Sequence, residues 1–144
     1  MTTLEQAEAI LRTSHTVAIL GAHPTRYKAA FYVPEYLQKH GYRILPVNPR
    51  HAGTTMFGRR VVATLAELEE PVDMVDVFRR AEHLQDHVAD LLAMRPLPTV
   101  VWFQLGIRNE AVAAHLRAAG IQVVQDRCTL ADHRQAGLAL AGPG

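Results

Sequence analysis

The sequence predicts an α/β fold in which helices cover both faces of a doubly wound, mostly parallel sheet. The first observation is a short apolar run, Thr16–Leu20, that stops at Gly21. A helical pattern and a second apolar run, Ile44–Val47, follow it, which is the order of a nucleotide-binding βαβ unit. The rest of the chain repeats this alternation, and right-handed crossovers then give an open, Rossmann-like sheet.

Length and composition limit the other possibilities. The 144 residues fit a single domain over 1–144, with a core of about 14–138 and a frayed tail at 139–144. Hydrophobic residues make up 49% of the chain and the net charge is +1, so bulk charge predicts no nucleic-acid or membrane partner. A single cysteine, no secretion signal and no apolar run near the roughly 20 residues of a bilayer span lead us to expect the cytoplasm.

The first helix and strand are predicted from local spacing. Thr2 and Glu5 have the spacing of a capping box, and apolar residues then recur at helical intervals, so we expect a helix over residues 3–12. The run Thr16–Leu20 lacks polar alternation, as expected for a parallel strand that helices cover on both faces. We therefore place this strand in the middle of the sheet.

The second helix is predicted over Ala30–His40. Pro34 should limit how early this helix begins, because proline is tolerated only near the first turn. Gly41 stands where a helix end favours a left-handed residue. A strand is then expected at Arg43–Val47, and a brief strand at Arg60–Val62 after an irregular stretch.

The second half of the chain repeats the alternation of short apolar runs and helical patterns. The predicted elements are a short helix that Thr64 and Glu67 open and that stops before Pro71, a buried strand at Met74–Phe78, a helix at Ala81–Met94, a strand at Thr99–Phe103, a helix from Asn109 to near Gly120, a strand at Ile121–Val124 and a closing helix at Thr129–Leu138. Ligands of such sheets bind beyond the carboxyl ends of the strands.

Glycine and arginine residues follow the predicted strands. Gly21-Ala22-His23 ends the first strand and precedes a helix, so backbone N–H groups and the helix N-terminus are candidates for binding a phosphate. Arg26 is close enough in sequence to add a cation, and Arg50, Arg79 and Arg80 lie at neighbouring strand ends. Several cations at one edge suit a ligand with several phosphates.

The same residues disfavour NAD as this ligand. Of the GxGxxG fingerprint only Gly21 is present, and no acidic residue lies between Tyr36 and Thr64, where the ribose-binding acid is expected. An arginine at the second strand end fits a phosphorylated ribose instead. Such a ribose occurs in NADP and in the 3′-phospho-ADP part of coenzyme A.

Six motifs between Thr16 and His133 carry a resemblance to a known family. They are the Gly21 loop followed by Arg26, then Val33-Pro34-Glu35-Tyr36-Leu37, Gly41-Tyr42-Arg43 leading to Pro46-Val47-Asn48-Pro49, Val75-Asp76-Val77-Phe78-Arg79, Trp102-Phe103-Gln104-Leu105-Gly106-Ile107 and Asp126-Arg127-Cys128. With these motifs the chain resembles the stand-alone CoA-binding domains. That family is similar to the N-terminal CoA-binding domain of the succinyl-CoA synthetase α subunit.

The resemblance implies coenzyme A as the ligand and implies which residues bind each part of coenzyme A. The residues implied for the diphosphate are Gly21, Ala22, His23 and Arg26, and those for the ADP end are Asn48, Pro49 and Arg50. Those implied for the adenine or ribose are Phe78 and Arg79, and those for the pantetheine arm are Gln104, Leu105 and Gly106. The synthetase's second domain, with its phosphorylated histidine, has no counterpart in the sequence, so the resemblance does not imply ligase activity.

The remaining polar residues are interpreted as structural. His83 and His87 have the spacing of a helical metal pair but no third ligand, so we expect surface histidines and no metal site. Asp76 lies in an apolar run and needs a partner such as an arginine or a loop amide. Cys128 is interpreted as a half-buried thiol; the alternative hypothesis is that Arg127 favours its thiolate and allows exchange with a CoA thiol or disulfide.

The predicted function is that of a cytoplasmic protein that binds coenzyme A, an acyl-CoA or a CoA disulfide, with no evident catalytic residue. Two alternatives stay open. One is an enzyme acting on an acyl-CoA or an NADP-type ligand, with Asp126, Cys128 or His23 as base or nucleophile. The other is a CoA-responsive sensor or regulatory subunit. A homo-oligomer and an unidentified protein partner also stay open.

Overall fold

Five parallel strands form the central sheet. The computed structural model describes residues 2–138, so the predicted frayed tail at 139–144 lies outside the described residues. The strands of this sheet are β1 (Thr16–Leu20), β2 (Arg43–Val47), β5 (Met74–Val77), β6 (Val100–Phe103) and β7 (Gln122–Val124), and the remaining two, β3 (Thr55–Met56) and β4 (Arg59–Arg60), form a separate antiparallel hairpin. Across the sheet the order is β2-β1-β5-β6-β7.

Helices pack on both faces of the sheet. The helices are α1 (Leu4–Thr13), α2 (Ala29–Lys39), α3 (Val88–Ala93), α4 (Glu110–Ala118) and α5 (Thr129–Ala136). Buried side chains of α1 and α2 share one apolar cluster with Trp102, and those of α3 and α4 share the other with Phe103. The prediction of a doubly wound α/β fold with helices on both faces is confirmed. None of the helices in the described part of the chain combines the length and apolar character needed to cross a bilayer.

The strand order reverses next to β1. Leu20 pairs with Val47 of β2 on one side and with Val77 of β5 on the other, all in parallel. Beyond β2, the predicted strand at Arg60–Val62 is reduced to one parallel bridge between Val62 and Val47. With that bridge counted as a strand, the order matches that of dinucleotide-binding sheets, and the carboxyl ends of β1 and β5 flank the crevice where such sheets bind ligands.

Helix α2 contains Pro34 in its interior, so the prediction that this proline limits the start of the helix is wrong. The helix begins earlier, at Ala29. A proline in a helix leaves one carbonyl of the preceding turn without its N–H donor. Here the N–H of His23 donates to the carbonyl of Ala30 at 3.3 Å. The loop after β1 thus replaces the missing donor and is tied to the first turn of α2.

Two further local predictions need correction. Thr3 and Gln6, not Thr2 and Glu5, form the capping box of α1, because the capping residue must directly precede the first helical residue. The predicted helix at Ala81–Met94 is a 3₁₀ helix, Ala81–His87, that continues into α3. Apolar residues of this stretch, such as Leu84, are buried, and the same spacing suits a 3₁₀ helix and an α-helix, so the sequence pattern does not distinguish the two helix types.

Candidate functional site

The loop after β1 uses its backbone N–H groups within the protein. Those of Gly21 and Ala22 both donate to the carbonyl of Val47, at 2.9 and 3.3 Å, and that of His23 donates to Ala30. The N–H of Thr25 donates to Nδ1 of His23 at 3.1 Å. The N–H groups of Gly21, Ala22 and His23, which the sequence indicates as candidates for binding a phosphate, are therefore already hydrogen-bonded within the protein.

The N-terminus of α2 is open. Its N-cap residue, Lys28, makes no capping hydrogen bond, and the N–H groups of Ala29 and Ala30 donate to no atom of residues 2–138. Unpaired N–H groups and the helix dipole favour an anion at such an end. Of the two phosphate-binding candidates in the sequence, the loop amides are therefore paired and the helix N-terminus is open.

Gly21 is required by the close approach of two strand ends. Its φ is +95°, and a Cβ at this position would lie 2.8 Å from the carbonyl oxygen of Phe78. Any other residue would push the ends of β1 and β5 apart. This contact brings Phe78 and Arg79 beside the first loop.

A polar cavity of about 620 Å³ opens at these strand ends, and we call it the polar chamber. Its lining contains four cationic side chains and no acidic one. The lining residues are Gly21, His23, Lys28, Ala30, Asn48, Arg50, His51, Phe78, Arg79, Arg80 and His83. None of the four cations forms an ion pair within residues 2–138. The chamber therefore carries uncompensated positive charge.

Arg79 is held on one side only. Its Nε donates to Nε2 of His87 at 3.4 Å, and the two terminal nitrogens have no partner within residues 2–138. Burial, together with the charge of Arg79, lowers the pKa of His87 and keeps its ring neutral and able to accept. The two histidines expected at the surface differ in exposure, since His83 is exposed and the His87 side chain is half-buried against Arg79.

A second cavity, of about 720 Å³, adjoins the first, and we call it the apolar chamber. The two chambers share five lining residues, which are Lys28, Ala30, Phe78, Arg79 and Arg80. The other residues of the apolar chamber are mostly uncharged, and they are Ala29, Tyr32, Val33, Ala81, Glu82, Gln104, Leu105, Gly106, Ile107 and Cys128. A single ligand can therefore extend from a cationic chamber into an apolar one.

The predicted site residues divide between these chambers. The polar chamber contains Gly21, His23, Asn48, Arg50, Phe78 and Arg79, and the apolar chamber contains Phe78, Arg79, Gln104, Leu105 and Gly106. The linings do not include Ala22, Arg26 or Pro49. The guanidinium of Arg26 instead lies over the Phe31 ring, 5.6 Å from its centroid. Sequence reasoning missed Lys28, although its position two residues before the predicted helix was a usable signal.

The hypothesis that Arg127 acts on Cys128 requires a free cation, and Arg127 is not one. The guanidinium of Arg127 donates to both carboxylate oxygens of Asp132, at 2.7 and 3.0 Å, so its charge is already neutralised. Asp126 also has a structural contact, since its carboxylate accepts the N–H of Gly106 at 2.6 Å. Within residues 2–138, no three His, Cys, Asp or Glu side chains cluster closely enough to hold a metal ion.

The expected partner of Asp76 is also corrected. This carboxyl group is fully buried, and it contacts the hydroxyl of Thr129 at 3.1 Å rather than an arginine or a loop amide. Burial raises its pKa well above the usual value, because the charged form is penalised where water is excluded. The same hydroxyl lies 3.1 Å from Oε1 of Gln104, a residue of the apolar chamber.

Comparison with known proteins identifies the family. The profile described as a CoA-binding domain matches residues 15–134. The chain belongs to the CoA-binding domain family. The chain is also similar to the uncharacterized protein YneT of Bacillus subtilis (strain 168), with 33% identity over 128 residues, or 89% of this chain and 92% of that protein.

Solved structures of similar chains share the fold. The structure of cell-free ID.343 from Thermus thermophilus is 45% identical, with a TM-score of 0.88 over 94% of this chain and 99% of that one. A hypothetical protein from Pyrococcus horikoshii OT3 is 27% identical, with a TM-score of 0.86 over 95% and 94% of the two chains. A dinucleotide forming acetyl-coenzyme A synthetase of Ca. Korarchaeum cryptofilum is 15% identical, with a TM-score of 0.63 over 81% of this chain and 26% of that one, and shares the fold.

Proposed function

We propose that this protein binds coenzyme A, with the phosphorylated nucleotide in the polar chamber and the pantetheine arm in the apolar chamber. The observation that carries the proposal is the wall of five residues that the chambers share. Coenzyme A joins a nucleotide with three phosphates to a long, uncharged arm. A site for it therefore needs a cationic compartment that opens into an apolar one, and the family membership agrees with this ligand.

The diphosphate belongs at the start of α2 in this proposal. The free N–H groups of Ala29 and Ala30 and the ammonium of Lys28 lie at the start of α2, and Arg79 lines the same two chambers as Lys28. Charge-assisted hydrogen bonds of this kind are about twice as strong as neutral ones. Arg50 is left for the 3′-phosphate, because it lies at the end of β2 within the polar chamber.

We propose binding without catalysis. The three candidate bases or nucleophiles are His23, Asp126 and Cys128, and two of them already accept a backbone N–H group of their own chain. The third, Cys128, is a free thiol in the apolar chamber. A lone free thiol fits a reducing compartment such as the cytoplasm. Incubation with a panel of acyl-CoA thioesters should give no turnover, and steady release of free CoA would contradict this part of the proposal.

Titration calorimetry tests the ligand. Arg79→Ala should weaken coenzyme A binding by about 1.5–3 kcal/mol, or roughly 10- to 150-fold, the range for a lost hydrogen bond to a charged group. Lys28→Ala should act in the same direction. Arg108→Ala is the matched control, because this exposed arginine pairs with Glu110 and lines neither chamber. Absence of heat with saturating coenzyme A, or an equal loss in the control variant, would contradict the proposal.

A further inference from the structure

The side-chain amide of Gln104 has a fixed orientation. The residue is only 4% exposed, and its Oε1 accepts the backbone N–H of Thr129 at 3.1 Å. A backbone N–H can only donate, so a flipped amide would leave this buried donor facing an NH₂ group. The oxygen of the amide therefore points to Thr129, and its nitrogen lies on the other side.

The nitrogen of this amide is free for a ligand. Gln104 lines the apolar chamber, and its Nε2 has no hydrogen-bond partner within residues 2–138. Within residues 2–138, the buried side-chain polar atoms without a hydrogen-bond partner are His15 Nδ1, Asp76 Oδ1 and His133 Nε2, so the unpaired Nε2 of Gln104 keeps access to solvent. A largely buried amide thus presents one unused donor to a chamber whose unshared lining residues are mostly uncharged.

The hydroxyl of Thr129 completes the arrangement. It lies 3.1 Å from Oε1 of Gln104 and 3.1 Å from Oδ2 of Asp76, but it has a single proton to donate. A neutral Asp76 can donate to the hydroxyl oxygen, which leaves the hydroxyl proton for Gln104. A charged Asp76 would take that proton and leave two oxygens facing each other. Both contacts of the Thr129 hydroxyl are therefore satisfied when the buried carboxyl group of Asp76 is protonated.

We propose that Thr129 and Asp76 are positioning residues that hold the Gln104 amide nitrogen toward the apolar chamber, where it donates to a carbonyl oxygen of the ligand's arm. This inference rests on the proposed function and specifies the class of arm that the site selects. An arm with amide or thioester carbonyls satisfies the donor, whereas a hydrocarbon arm leaves it desolvated and unpaired. The pantetheine arm has such amide carbonyls.

The test compares coenzyme A with 3′-phospho-ADP, which is the same nucleotide without the pantetheine arm. Gln104→Leu should lower the affinity for coenzyme A about tenfold and leave the affinity for 3′-phospho-ADP unchanged. Gln125→Leu is the matched control, because this glutamine ends the neighbouring strand but uses both amide atoms within the chain, at 2.7 Å from Asn109 and 3.3 Å from Glu110. It should keep the preference for coenzyme A.

Two substitutions separate positioning from simple packing. Thr129→Val should reduce the ratio of coenzyme A to 3′-phospho-ADP affinity several-fold, and Thr129→Ser should restore it. Asp76→Asn should retain the ratio, because the amide of asparagine can donate to Thr129 as the protonated carboxyl group does. A purely structural role would change both affinities together.

The outcomes are distinguishable. If the unaltered protein binds coenzyme A and Gln104→Leu changes neither affinity, or changes both equally, the inference is wrong while the proposed function stands. The positioning roles are also refuted if Thr129→Ser behaves like Thr129→Val. If the unaltered protein binds neither ligand, the proposed function fails and the inference fails with it.

Discussion

Replacement of Gly21 by alanine should destabilise the protein through two separate effects. The φ of +95° costs an L-residue about 1–2 kcal/mol. The added Cβ would also lie 2.8 Å from the Phe78 carbonyl oxygen and 3.2 Å from Cδ of Arg79. Relief of such overpacking typically costs about 1–3 kcal/mol. We therefore expect the free energy of unfolding to fall by about 2–5 kcal/mol.

Gly120→Ala is the control for this experiment. Gly120 has a similar φ of +90°, but a Cβ there would meet no atom within 4 Å. Its substitution should cost only the backbone term of about 1–2 kcal/mol. Urea denaturation of both variants without ligand measures the difference. If the two variants lose the same free energy of unfolding to within about 0.5 kcal/mol, the close contact between the two strand ends is refuted.

Three other predictions concern protonation and the 3′-phosphate. Burial, with a contribution from His40, lowers the pKa of His133 below 6.5, so the unfolded chain takes up a proton at a higher pH than the folded protein does. The free energy of unfolding should therefore fall as pH decreases through 6.5. His133→Gln should reduce this dependence of the unfolding free energy on pH, as measured by urea denaturation. Burial raises the pKa of Asp76, so the free energy of unfolding should fall as pH rises above 3.8, where the same group in the unfolded chain loses its proton. Asp76→Asn should remove this dependence on pH, and in calorimetric scans at pH 7 it should unfold at a higher temperature than the parent. Arg50→Ala should weaken coenzyme A more than dephospho-CoA in calorimetric titrations, and an equal loss would remove Arg50 from the 3′-phosphate.

The central strands could be predicted because their sequence leaves few alternatives. Thr16–Leu20 and Arg43–Val47 are apolar runs closed by Gly21 and by Asn48, and the structure has the same bounds. Pro34 misled the prediction because propensity says nothing about a donor supplied from another element. Its missing N–H is replaced by that of His23, a tertiary contact that local rules do not include.

The candidate site could be predicted at the level of strand ends but not of individual atoms. That polar residues such as Arg50, Arg79 and Gln104 gather at one edge follows from the parallel topology. Whether Arg26 or Lys28 faces the cavity depends on the path of the loop, which spacing does not determine. The pairing of Arg127 with Asp132 had a signal in the sequence, since Asp132 lies in the first turn of the following helix.

The single glycine of the first loop explains why this site differs from a dinucleotide fingerprint. In GxGxxG loops, glycines let the backbone approach the pyrophosphate. Here Gly21 lets the backbone approach Phe78 instead, and its N–H is already bonded to Val47. In the proposed site, the groups that bind anions are therefore the open start of α2 and side chains such as Arg79, instead of the loop amides. The close approach of Gly21 to Phe78 accounts for the position of Arg79 beside the loop, and the hydrogen bond to Val47 accounts for the loss of the Gly21 N–H as a donor to a ligand.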